Sequence, residues 1–187
     1  LNARLKPHGL VLGADVATSS RATAGGMIGN DSSGAHSLLY GKTSEQVLEL
    51  DVVLADGTRT TLRPLGPAEL AAAVGAADRI GSLCGRIDAL VRENAAEIDA
   101  RFPKVMRRVS GYDLAAFVRD GALFDLGRLV VGSEGTLCSV VGAKLRLVEL
   151  PRHTALVACH FADLIEAMSA NLVALETGPA AVELTDR

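Results

Sequence analysis

Apolar and polar positions alternate cleanly over residues 47–54, with Leu48, Leu50, Val52 and Leu54 on one face and Glu49 and Asp51 on the other. That two-residue period predicts a half-buried strand. Ala55-Asp56-Gly57 supplies a turn, and the β-branched run Thr58–Leu62 predicts the returning strand of a hairpin. The period then lengthens. Over 78–99, Ile80, Leu83, Cys84, Ile87, Leu90, Val91 and Ile98 recur at helical spacing, while Arg79, Arg86, Arg92, Glu93 and Glu97 take the other side. One amphipathic helix is expected there. A second alternating run covers 139–148, with Val141, Ala143, Leu145 and Leu147 opposing Lys144 and Arg146.

The remaining stretches read less regularly. Leu1–Leu5 resembles the last turns of a helix ended by Pro7 and Gly9, and residues 10–40 are small, polar and loop-like. Pro151 marks a break. Past it, strand-like 154–161, helix-like 163–175 and strand-like 181–184 predict a β-α-β unit. The chain is therefore expected to divide into a domain over 1–150 and the beginning of a second over 151–187. The first methionine is Met27, so a segment of a larger protein is expected.

Composition narrows the function classes. Hydrophobic residues make up 49% of the 187 residues and net charge is −3, which excludes a disordered chain. Lys+Arg 19 against Asp+Glu 22 gives no basic excess, which argues against a nucleic-acid partner. No apolar run reaches the ~20 residues of a membrane span. Cys84, Cys138 and Cys159 include no C-x-x-C pair, so neither a disulfide framework nor a cysteine-held metal is expected. All three lie in apolar stretches and read as buried thiols in a reducing, cytoplasmic compartment.

Candidate chemistry concentrates in Ala17–Gly34. Gly25, Gly26, Gly29 and Gly34 permit close backbone approach to a ligand, and hydroxyls with the Asn30 amide offer neutral hydrogen bonds. If Thr23 begins a short helix, its first N–H groups face outward toward an anion such as a pyrophosphate. A plain surface loop is the alternative. Met27 and Ile28 between the glycines favour a built site, because a solvated linker has little use for them. The pattern is neither a Rossmann fingerprint nor a P-loop. Gly132-Ser133-Glu134-Gly135-Thr136 is a second tight connection able to expose amides, though a simple turn explains it equally well.

Thr23-Ala24-Gly25-Gly26 with Asn30 and Gly34, Tyr40-Gly41-Lys42-Thr43, Val52–Gly57, Ser110-Gly111-Tyr112-Asp113-Leu114 and Gly132–Leu137 occur in one order. That series resembles the PCMH-type FAD-binding domain of FAD-linked oxidases of the vanillyl-alcohol oxidase type. Within them it is most similar to the D-lactate, glycolate and D-2-hydroxyglutarate dehydrogenase branch, and the wording of Asn30–Ser37 resembles long members that add an iron–sulfur module. The resemblance implies an α+β fold: the second subdomain of the FAD-binding domain over 1–150, then the start of an α+β cap. It implies FAD as cofactor, with Thr23, Gly25, Gly26, Asn30, Ser33 and Gly34 along the pyrophosphate and ribityl chain. Gly132, Glu134, Gly135 and Thr136 would reach the adenosine half and the inner edge of the site. It further implies a small 2-hydroxy acid substrate oxidised to the 2-oxo acid, an electron acceptor, and any iron–sulfur cluster elsewhere in the longer chain. The first FAD loop is expected before Leu1 and the catalytic base beyond Arg187. This segment alone is therefore expected to hold no FAD, to be inactive, and to self-associate through its cut apolar surface; peripheral membrane association of the longer chain stays open.

Departures keep two other readings open, a non-catalytic or degenerate module and a same-fold FAD reductase. Cys138 stands where the family carries Gly, and Gly142 where it carries an acid. Among single residues, His36 reads as a turn histidine bonded within its loop. Arg107-Arg108 reads as a solvated basic step, and Glu134 as a cap for local amides. No metal site is expected at His153 or His160.

Overall fold

The computed structural model describes residues 1–119 and 123–186; Arg187, the expected limit of the second domain, lies outside them. Helix α1 (Asn2–Leu5) passes into a tight turn at Lys6–His8 and stops at Gly9. Strand β1 (Leu10–Val11), helix α2 (Ala24–Asn30) and short helices α3 (Ser37–Tyr40) and α4 (Thr43–Gln46) follow. Next come strands β2 (Val47–Val53) and β3 (Arg59–Leu62), then helices α5 (Pro67–Gly75), α6 (Arg79–Glu93) and α7 (Ala95–Arg101). Helix α8 (Gly127–Val130), strands β4 (Ser139–Leu145) and β5 (Val148–Glu149) and helix α9 (Leu164–Glu176) complete an α+β arrangement.

The expected hairpin forms, and β4 joins its other edge to give an antiparallel sheet ordered β3-β2-β4. Strand β5 pairs separately with β1. Leu50 and Val52 are fully buried from the middle strand and meet Ile28, Leu62, Val130 and Val131. A second cluster joins Met27 to Leu12, Ala14 and Val16. A third packs Val91 and Ile98 against Ala115.

Several expectations change. The alternation over 139–148 is displaced by bulges: Asp51 pairs with Gly142 while Val52 pairs with Val140, so Val141 is left over and faces out. Val140 takes the core position instead. On β2, Leu48 is the extra residue and Val47 packs inward. The single helix over 78–99 is two, because the Asn94 side chain donates to the carbonyl of Leu90 at 2.8 Å and the chain turns there. Helix α5 lies in a stretch punctuated by Pro and Gly; Pro67 occupies its first turn, and the Glu69 carboxylate accepts from the Gly66 N–H at 2.9 Å.

The β-α-β unit beyond Pro151 forms only its helix. Residues 154–161 and 181–184 make no strand, and Leu156 is 96% exposed. Alternation specifies a strand only where a partner supplies ladder hydrogen bonds. Among the described residues no helix is long and apolar enough to cross a membrane.

Candidate functional site

Helix α2 explains the apolar pair inside the glycine segment. Met27 and Ile28 plug into two different clusters, so they anchor the helix while Thr23–Gly26 and Asn30 stay exposed. Thr23 caps it: its Oγ1 accepts from the Gly26 N–H at 3.1 Å. The amides of Ala24 and Gly25 sit in the first turn, where no intrahelical acceptor exists. A Cβ on Gly25 would meet nothing within 4 Å, whereas one on Gly26 would press on Thr23 Oγ1 at 3.2 Å.

The turn at 132–136 is built onto the other end of that helix. The Gly132 N–H donates to the Ile28 carbonyl and the Glu134 N–H to the Gly29 carbonyl, each at 2.9 Å. Gly132 adopts φ 84, and a side chain there would crowd Asp31 Cβ at 3.3 Å. Glu134 also takes the left-handed conformation, φ 52. Its carboxylate is exposed and caps no amide among the described residues, contrary to expectation; its backbone makes the connection instead. Thr136 Oγ1 donates to the Ser133 carbonyl at 2.6 Å and lies 2.9 Å from the Tyr112 hydroxyl. Segments around 23–31, 110–114 and 132–136, far apart in sequence, therefore meet.

A buried ion pair lies beneath them, unnoticed in the sequence. Asp31 Oδ2 accepts from Lys42 Nζ at 2.5 Å, with side-chain exposures of 6% and 10%. Asp31 also accepts from the Ser44 N–H at 2.8 Å and the Ser44 hydroxyl at 3.1 Å. Lys42 Nζ donates a second bond, to the Arg108 carbonyl at 2.7 Å. Arg108 is not solvated as expected: it pairs with Asp113 and lies over the Phe102 ring, 4.9 Å from its centroid.

The other candidate residues divide. Asn30 Nδ2 donates to Ser32 Oγ at 3.2 Å, and Ser33 is half-buried beside it. Gly34 is a packing requirement, since a Cβ there would overlap the Asp15 carbonyl. His36 Nδ1 lies 2.7 Å from Asp15 Oδ2, a partner 21 residues away. Cys138 packs against the sheet's apolar cluster, and burial raises its thiol pKa; Cys84 is buried, but Cys159, expected to be buried, is exposed because the stretch around it forms no strand. Gly142 sits against Asp51, whose Oδ2 would be 2.8 Å from any Cβ. Among the described residues no group of His, Cys, Asp and Glu is placed to hold a metal. The site is thus a surface of helix-end amides, hydroxyls and bare glycine backbone, at Gly25 and Gly135 free of crowding. That donor set suits a phosphate-bearing ligand.

The chain is similar to known proteins. Residues 1–63 match a family described as an FAD binding domain. A D-2-hydroxyglutarate dehydrogenase of Pseudomonas putida is 39% identical over 187 residues, the whole of this chain. Residues 1–63 thus carry an FAD-binding-domain match, and the whole chain is similar to this dehydrogenase. An Escherichia coli D-2-hydroxyglutarate dehydrogenase is 42% identical over 154 residues, 81% of the chain and 15% of that protein. The mitochondrial D-lactate dehydrogenase [cytochrome] of Arabidopsis thaliana is 34% identical over 70 residues, 36% of the chain and 12% of that protein. The chain spans 18% of the length of the Pseudomonas putida relative.

Proposed function

We propose that residues 1–150 form the second subdomain of an FAD-binding domain, and that residues from 151 begin a cap, in an oxidoreductase converting a 2-hydroxy acid to the 2-oxo acid. The observation that carries the reading is the docking of the 132–136 turn onto the end of α2, in a chain homologous throughout to a D-2-hydroxyglutarate dehydrogenase. It supports one continuous surface from Thr23 to Thr136. Thr23, Gly25, Gly26, Asn30, Ser33 and Gly34 would serve the pyrophosphate and ribityl side; Gly132, Glu134, Gly135 and Thr136 would serve the adenosine side and inner edge. Gly34 would act indirectly, by letting the loop close on Asp15.

When bound, FAD supplies the chemistry, accepting a hydride from the α-carbon of the substrate. This chain's residues bind and orient. The Thr23-capped turn presents amides, and Met27 and Ile28 fix the helix to the core so that those amides are preorganised. The catalytic base, electron acceptor and any iron–sulfur cluster would belong outside residues 1–187. Free Cys84, Cys138 and Cys159 fit a cytoplasmic setting. Exposed Leu156, Val157, Ile165 and Leu172 support self-association of residues 1–187 when isolated.

Calorimetric titration with FAD of the natural open reading frame carrying this chain tests the reading. Saturable binding that weakens at least tenfold on Gly25→Val is expected; no binding, or binding indifferent to that change, would overturn it.

A further inference from the structure

We propose that Lys42 is a positioning residue: its ammonium group is the clasp by which the end of α2 holds the 108–113 segment, and with it Tyr112, against the 132–136 turn. The proposal rests on the FAD-binding reading above. Among the described residues no hydrogen bond joins Lys42 to the exposed candidate surface. Its ammonium group lies below, with bonds to two separate segments: Asp31 Oδ2 at 2.5 Å and the Arg108 carbonyl at 2.7 Å.

Each end of the clasp is itself fixed. Asp31 closes α2 in a left-handed conformation, is held by two bonds from Ser44, and packs under Gly132. At the other end the Arg108 side chain is committed within its own segment, to Asp113 and the Phe102 ring. Its carbonyl is the atom through which the segment is tied to α2. Four residues on, Tyr112 is 45% exposed, yet its hydroxyl lies 2.9 Å from Thr136 Oγ1. The route from Lys42 to the candidate surface thus runs through Arg108 and Tyr112 to Thr136.

Stability alone gives little reason for such a pair. A buried ion pair can often be replaced by apolar residues of the same volume without loss, while its charges require one geometry. The two acceptors of Lys42 use that requirement to set the distance between α2 and the 108–113 segment.

The test is a double-mutant cycle in the natural open reading frame, read by FAD titration in a calorimeter. Asp31→Asn with Lys42→Met removes both charges together, so no lone charge stays buried, and Asn keeps an oxygen for Ser44. This paired variant is expected to stay folded and to bind FAD at least tenfold more weakly. Tyr112→Phe, at an exposed position, is expected to weaken FAD binding as well, and the combination to lose less than the product of the two. Unchanged affinity in either variant, or losses that multiply, overturns the proposal. If the paired variant does not fold, Lys42→Arg combined with Tyr112→Phe decides: a joint loss of FAD affinity smaller than the product of the two upholds the proposal, and losses that multiply overturn it. A wild-type protein that takes up no FAD overturns the FAD reading instead.

Discussion

The backbone N–H of Glu134 donates to the carbonyl of Gly29 at 2.9 Å, and Glu134 makes that bond in the left-handed conformation. For a residue with a Cβ this conformation costs about 1 kcal/mol, a strain glycine escapes. Glu134→Gly is therefore expected to leave stability unchanged or raise it by up to ~1 kcal/mol. Glu134→Val, β-branched at the same φ, is expected to lower it by at least about 1 kcal/mol. Urea unfolding of the two variants makes the comparison; equal midpoints would show that the strain is not there.

Gly25 separates folding from binding. Nothing lies within 4 Å of its Cβ position, and its backbone is helical, so Gly25→Ala should stabilise the fold by about 0.4–1 kcal/mol, chiefly by restricting the unfolded chain. The same methyl group stands where the amide surface would meet a phosphate. A more stable protein with FAD affinity weaker by at least ~1.4 kcal/mol, a factor of ten, is the expected outcome. Thermal melts and an FAD titration of one sample give both numbers.

Gly34 should behave in the opposite way. A Cβ there overlaps the carbonyl of Asp15, which is backbone and has little room to move. Gly34→Ala is expected to cost at least about 1–3 kcal/mol with or without FAD. A variant as stable as wild type, but poor in FAD, would make Gly34 a direct cofactor contact.

Burial raises the Asp125 carboxyl above its ordinary pKa, opposed by the Gly127 N–H and Arg128. The folded state then binds more protons than the unfolded between the ordinary and raised values. Its contribution to stability falls as pH rises through that window and is unfavourable at neutral pH. Asp125→Asn keeps an oxygen for the Gly127 N–H, which the native carboxylate accepts at 2.8 Å. The variant is expected to be at least as stable at neutral pH and to show a flatter curve in the acid range. Urea midpoints across that range check this; a loss of stability at neutral pH would contradict it.

Local pattern made the β2–β3 hairpin, β4 and the helical character of 79–101 legible, because period and turn chemistry act over a few residues. The bulges at Leu48 and Val141 were not, since register depends on the partner strand. Thr23 as a cap could be read from its place before a small-residue helix. The Asp31–Lys42–Arg108 connection could not: it links positions 11 and 66 residues apart, and no local signal marks a charge destined for burial. The strands expected at 154–161 and 181–184 failed for want of partners.

Anaerobic absorbance spectroscopy tests the central claim most directly, with the natural open reading frame purified and a D-2-hydroxy acid added. The account predicts a yellow protein whose flavin absorbance bleaches on addition of D-2-hydroxyglutarate or D-lactate. A colourless protein that takes up no added FAD would contradict the binding claim, and a yellow protein that no 2-hydroxy acid bleaches would contradict the proposed reaction.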